Sequence, residues 1–241
     1  MPEAFRDDLV HSHTRVRLAL GILGLLLPLI LIIGGLFDQL RPDDISKTGI
    51  EPTISDFYHT TYRDVFVGSL CAIGVFLVSY RGHRRAKGEI IGDDWLATLA
   101  GTAAFVVAFF PNGAGGDRAS MMQLHFGAEA AETLHYLAAF VFFSSLAGFC
   151  LFKFAKTRST WRRKIYQACG AVIIAMLVLT MIAVYFRKVT DGAAHAIVES
   201  NNLIFWFEAI GIWAFALSWL VKSKADMKLA FPGTRRQKDQ N

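Results

Sequence analysis

Seven histidines and a small set of carboxylates carry whatever chemistry this chain performs. Four of those histidines fall in three polar segments that flank apolar runs. The first segment reads Thr53-Ile54-Ser55-Asp56-Phe57-Tyr58-His59-Thr60-Thr61-Tyr62-Arg63-Asp64. The second carries His125, Glu129, Glu132 and His135, and the third carries Asp191, His195, Glu199, Asn201 and Asn202 before reaching Glu208. Imidazole is the side chain best suited to accept or return a proton near neutral pH, and it is the commonest metal ligand. His59, His135 and His195 are therefore candidate ligands for a divalent metal such as zinc. His125, Glu129, Glu132 and His135 are spaced 4, 3 and 3, which on one helix places all four along one face. His195 and Glu199 are four apart and could share a face in the same way.

Glu208 is the most informative single position. It lies five residues inside an apolar run, about 7.5 Å at helical rise. A carboxylate in a membrane span costs several kcal/mol unless it is paired or faces water, so it should turn inward and meet a partner. Asp64, Arg63 and His135 enter the apolar region from the same side. The spacing predicts a polar pocket lined by Asp64, Arg63, His135 and Glu208, with Ser55 and His59 at its rim. In a catalytic version His135, Glu208 or Asp64 would serve as acid or base, and Arg63 would hold an anionic group. The competing reading is an Arg63–Glu208 or His135–Glu208 pair that only holds helices together.

These residues need elements to position them, and composition says which kind. Of 241 residues, 54% are hydrophobic and 19% charged, the latter below the roughly 25% of an ordinary soluble domain. The apolar residues gather into six runs at about 18–37, 62–80, 94–110, 134–152, 165–186 and 203–221. Runs of this length suit helices crossing a ~30 Å hydrocarbon core and are too long for barrel strands. The expected fold is all-α, a single integral membrane domain of six helices, with 222–241 a flexible cytoplasmic tail. The fourth helix is expected to begin near Ser120, ahead of its apolar run. Lys and Arg alternate between the connections: 19 of the 25 fall in the N-terminal segment, the second and fourth connections and the tail. That pattern predicts both termini in the cytoplasm and the histidine-bearing segments on the opposite side. It also fits membrane orientation better than a nucleic-acid surface.

Several classes fall away. The chain has no Gly-rich phosphate loop, no Gly-x-Ser-x-Gly elbow and no His-Glu-x-x-His. No lysine lies within an apolar run, and no two histidines sit at matched depth for a bis-His haem. Cys71, Cys150 and Cys169 lie in apolar runs, with no spacing that suggests a disulfide framework. The first run lacks a small-residue cleavage site and reads as a retained span. Gly148, Gly170 and Gly211 are expected to allow close helix packing.

The Ile54-Ser55-Asp56 triplet before the second run, with Arg63-Asp64-Val65-Phe66-Val67-Gly68, resembles uncharacterised bacterial six-span proteins. Leu134-His135-Tyr136 and Trp206-Phe207-Glu208 belong to the same likeness. More distantly, this layout is similar to the FRAG/DRAM-type superfamily, linked to lipid remodelling and autophagy in eukaryotes. Ser55-x-x-x-His59 resembles an early motif of the seven-span alkaline ceramidase and adiponectin-receptor superfamily, which implies a zinc amidohydrolase. That family's late His-x-x-x-His is absent here, although His195-x-x-x-Glu199 keeps the spacing. Together these readings predict a bacterial-type inner-membrane protein whose outer pocket binds a lipid headgroup or small amphiphile. A metal-dependent hydrolase is one form of that reading. The alternative is a non-catalytic scaffold or accessory subunit of a larger membrane complex. Membrane lipids and membrane proteins are the expected partners, and nucleic acid is not.

Overall fold

The computed structural model describes residues 3–39, 49–80, 82, 92–113 and 119–230. Every regular element among them is helical: α1 (Glu3–Gln39), α2 (Arg63–Val78), α3 (Asp93–Phe109), α4 (Met121–Phe126), α5 (Ala128–Gly148), α6 (Thr160–Val189), α7 (Ala193–Ser200) and α8 (Leu203–Ala230). A 3₁₀ turn (Ser55–His59) precedes α2, and α5 widens into a π-helical turn (Phe149–Phe154).

Among the described residues four stretches are long and apolar enough to cross a membrane: Thr14–Phe37, Ala128–Phe154, Thr160–Val189 and Leu203–Lys224. Their outward faces expose large apolar side chains such as Leu25, Ile33, Val178, Ile182 and Leu217, which water would not tolerate in such density. The molecule is thus a helical membrane protein. α2 and α3 have 16 and 17 residues, about 24–26 Å at helical rise, slightly short of a ~30 Å core. They pack against each other, with α2 against α1 and α3 against α5. α8 lies between α1 and α6 and reaches Ala230, well past the apolar run that ends near Val221.

The helix expected to start near Ser120 is two helices. Ser120 does cap α4 through a reciprocal capping box with Gln123. Gly127 then adopts φ +86°, a conformation that suits glycine and ends the helix before α5 restarts at Ala128. His125 is thereby cut off from the α5 face, and its ring bonds the Met121 carbonyl within α4. The four-residue stripe from His125 to His135 does not form.

Two ends of the bundle are distinguishable by their contacts. At one end the Arg17 guanidinium donates to the Tyr80 hydroxyl (2.8 Å), and Lys153 pairs with Asp93 (3.1 Å). At the other end the Tyr62 hydroxyl donates to the Gly34 carbonyl (3.1 Å), and the polar segments around His59, Asn112, His135, Arg187 and Glu208 converge. Trp219, Tyr166, Phe149, Phe215 and Leu77 are fully buried in the core cluster on the side of Tyr80, whose ring packs against Trp219 and Phe149. His83, the second connection's Arg84, Arg85 and Lys87, and the last part of the tail (231–241) lie outside the described residues.

Candidate functional site

The Ile54-Ser55-Asp56 triplet is the hub of the polar end. It sits where the chain enters the 3₁₀ turn, so three consecutive residues point in three directions. The Ile54 backbone N–H donates to Glu208 Oε2 of α8 at 2.8 Å. The Ser55 hydroxyl lies 2.9 Å from His135 Nε2 of α5. The Asp56 carboxylate accepts from Asn112 Nδ2, just past α3, at 2.6 Å and from Arg187 of α6 at 3.1 Å. One short motif therefore reaches α5, α6, α8 and the segment just past α3. Two hydrogen bonds to backbone carbonyls steady the segment: Phe205 N–H donates to the Pro52 carbonyl (2.9 Å), and the Asn202 side-chain Nδ2 donates to the Ile50 carbonyl (3.0 Å).

The hydrogen bonds define the state of His135. Its Nδ1 lies 2.6 Å from the Phe110 carbonyl oxygen, which can only accept, so Nδ1 carries the proton. In the neutral ring Nε2 is then the acceptor, and the Ser55 hydroxyl donates to it. His135 and Ser55 are both buried.

Asn112 is similarly constrained. Asp56 Oδ1 is a carboxylate acceptor, so the atom facing it must be the amide nitrogen, which also lies 3.4 Å from Thr53 Oγ1. Asn112 Oδ1 is left buried with no partner among the described residues. An unmet buried acceptor is costly, about 1–3 kcal/mol, and asks for a donor from elsewhere. Thr53 Oγ1 accepts from the Asp56 N–H (2.9 Å) as well as from Asn112, which leaves its own hydrogen to donate.

These groups form the polar end of a cavity of about 500 Å³ bounded by α5, α6 and α8. Thr53, Ser55, Asn112, His135 and Glu208 line that end. Its remaining walls are mostly apolar, including Phe140 and Phe143 of α5, Met176 and Met181 of α6, and Phe207 of α8. Leu137, Phe140, Met181 and Tyr185 line the cavity and are also exposed on the surface, so it opens sideways between α5 and α6.

Residues 22–222 match a family described as proteins of unknown function, DUF998. The chain belongs to the DUF998 family. No curated protein and no solved structure matches it.

In this DUF998 chain the sequence-derived site residues separate into two groups. Ser55, His135 and Glu208 meet at the cavity. Arg63 and Asp64 stand outside it, exposed in the first turn of α2. The Arg63 guanidinium donates to the Tyr58 hydroxyl at 2.5 Å and stacks 4.2 Å over the Tyr58 ring, which holds it away from Glu208. Glu208's partner is a backbone N–H rather than Arg63 or His135. His59 bonds the Asn112 carbonyl (3.0 Å) and His195 the Arg187 carbonyl (3.1 Å), so His59, His135 and His195 answer three separate backbone oxygens. Among the described residues no three His, Cys, Asp or Glu side chains gather as a metal would require. To ligate a metal through Nε2, His135 would have to release Ser55. Glu199, four residues after His195, pairs with Arg187 (2.5 Å), and Glu132 pairs with Lys188.

Asn112, Asp56, Thr53 and Arg187 were not singled out from sequence as members of the site. Asn112 reads there as a helix stop after Pro111, and Arg187 as a loop cation. The one signal for Asp56 was its place in the Ile-Ser-Asp triplet.

Proposed function

We propose that the protein is a six-span membrane protein that holds one single-chain amphiphile, tail in the cavity and head beneath the 3₁₀ turn. The observation that carries this reading is the cavity's division into an apolar chamber and one polar end. Its volume lies within the about 300–1,000 Å³ typical of small-molecule sites. The sideways mouth between α5 and α6 faces hydrocarbon once the bundle is in a bilayer, so the ligand enters from the lipid. Among the described residues no Lys or Arg lines the cavity. Its polar end offers chiefly acceptors, the Glu208 carboxylate and Asn112 Oδ1, and this favours a head that brings hydrogen-bond donors and is neutral or cationic. The Lys and Arg distribution supports placing this end outside a bacterial-type inner membrane, with both termini in the cytoplasm.

The test is lipid analysis of the purified protein by native mass spectrometry. A bound single-chain amphiphile is expected in the unaltered protein. Thr180→Trp, which fills the chamber from the α6 wall, should lose it while melting at an unchanged temperature. Equal, non-stoichiometric lipid in both proteins would count against the site.

A second reading has its own support. The triplet's ties to α5, α6, α8 and the segment past α3 are what a clasp in a non-catalytic scaffold or accessory subunit would need. On that reading Thr180→Trp leaves every lipid signal unchanged, whereas substitutions at Asp56 lower stability.

A further inference from the structure

The Ser55–His135 pair has the geometry of an activated nucleophile. Its Oγ–Nε2 separation of 2.9 Å is within proton-transfer reach, and the Phe110 carbonyl holds the ring in the one tautomer that leaves Nε2 free to accept. A nucleophile bonded to a base, with the base oriented by a third group, is the general arrangement of covalent acyl transfer. The third group is usually a carboxylate. Here a backbone carbonyl orients the ring, with less stabilisation of the imidazolium. Ser55 and His135 both line the cavity, so their bond lies where a ligand's head must sit. Two further groups at the same end are chemically unspent: the Thr53 hydroxyl hydrogen and the orphaned Asn112 Oδ1.

We propose that Ser55 is the nucleophile, and His135 the base, of an acyl-transfer site acting on single-chain carboxylic esters of a neutral or amine-bearing alcohol. This rests on the amphiphile-binding reading above. The acyl chain occupies the apolar chamber, and the ester carbonyl lies beside Ser55. Ser55 Oγ bonds to the carbonyl carbon while its proton passes to His135 Nε2, and the Thr53 hydroxyl donates to the carbonyl oxygen as it gains charge. The bond from carbon to the alcohol oxygen then breaks, and the Nε2 proton goes to that oxygen, releasing the alcohol. Water attacks the acyl-serine, Nε2 takes the water's proton and returns it to Ser55 Oγ, and the carboxylic acid leaves. The net reaction consumes one ester and one water and yields one acid and one alcohol. Hydroxyl or amine hydrogens on the alcohol meet Asn112 Oδ1 and the Glu208 carboxylate. A phosphate head would find no Lys or Arg among the described residues lining the cavity, so anionic esters fall outside the proposed substrate class.

The experiment treats the intact protein in lipid nanodiscs with a long-chain alkyl fluorophosphonate and maps the adduct by peptide mass spectrometry. In parallel it measures retention of monooleoylglycerol and release of oleate. The adduct is expected on Ser55, absent in Ser55→Ala, and slowed about 10²–10⁴-fold in His135→Gln. Ser55→Ala should retain monooleoylglycerol yet release no oleate. A folded wild type that retains monooleoylglycerol but shows neither adduct nor oleate overturns the acyl-transfer proposal and leaves the binding reading standing. A folded wild type that neither retains it nor is labelled overturns both. Labelling of Ser55 with equal release from monooleoylglycerol and lysophosphatidic acid would overturn the assigned head chemistry.

Discussion

Asp56 holds the polar end together by accepting at once from Arg187 of α6 and from Asn112, just past α3. Its Arg187 partner is half-buried and also serves Glu199 (2.5 Å), so the three form a small network spanning the 3₁₀ turn, α6 and α7. Removing the shared carboxylate leaves an amide and a guanidinium short of acceptors. Asp56→Ala should cost about 1–3 kcal/mol, read as a lower melting temperature in detergent. Glu51, in the connection just before the triplet, adds a pH dependence. Burial and the nearby Asp56 push its carboxyl up to about 7, against the opposing pull of Arg187. An acid whose folded value is raised binds more protons folded than unfolded across the interval between the two values. Stability therefore falls as pH rises from about 4.5 to about 7 and stays lower above it. Glu51→Gln should flatten that part of the profile when melting is followed across the interval. An unchanged slope would refute the assignment.

Helix packing separates glycines that matter from glycines that do not. A Cβ on Gly101 would lie 2.7 Å from the Gly74 carbonyl oxygen and 2.9 Å from the Val78 nitrogen, both backbone atoms of α2. On Gly74 a Cβ would lie 3.1 Å from the Gly101 oxygen. This reciprocal contact lets the two short helices approach backbone to backbone. Gly148 is different, since its Cβ would meet Leu96 at an ordinary 3.5 Å. Gly101→Ala should destabilise by about 1–3 kcal/mol and Gly148→Ala by little, as measured by thermal denaturation of each variant. The packing role expected of Gly148 is thus absent, whereas Gly170 and Gly211 do abut neighbouring side chains, Leu151 and Phe143. Gly127 acts at the same scale by another route, since its positive φ sets where α5 begins.

For the whole molecule the decisive quantity is which end faces which compartment. Asp191, after α6, and Arg158, before it, are both exposed and stand at opposite ends of that helix. Single cysteines at these positions in a cysteine-free background give the test. A membrane-impermeant maleimide applied to intact cells should label Asp191→Cys and spare Arg158→Cys. The reverse pattern would invert the orientation inferred from the Lys and Arg distribution. Helix character was legible in the sequence because long apolar runs admit few other structures in lipid. The four longest observed spans overlap the runs at 18–37, 134–152, 165–186 and 203–221, and the helices exceed the runs because their ends continue into charged sequence. The site was legible only in part. Glu208 announced itself because a carboxylate inside an apolar run needs a partner, but the partner is a backbone N–H that carries no residue-type signal.

The pattern of residues along the chain by itself determined that this is a helical membrane protein and which segments bring polar side chains to the candidate site. Burial energetics act on local stretches, and a stretch's composition is read directly from the chain. Tertiary structure alone decided that Ser55 meets His135 across 80 positions, that Asn112 keeps an unmet acceptor, and that Arg63 turns away to Tyr58. Hydrogen bonds are short-ranged and directional, so their partners are chosen by how helices pack rather than by spacing along the chain.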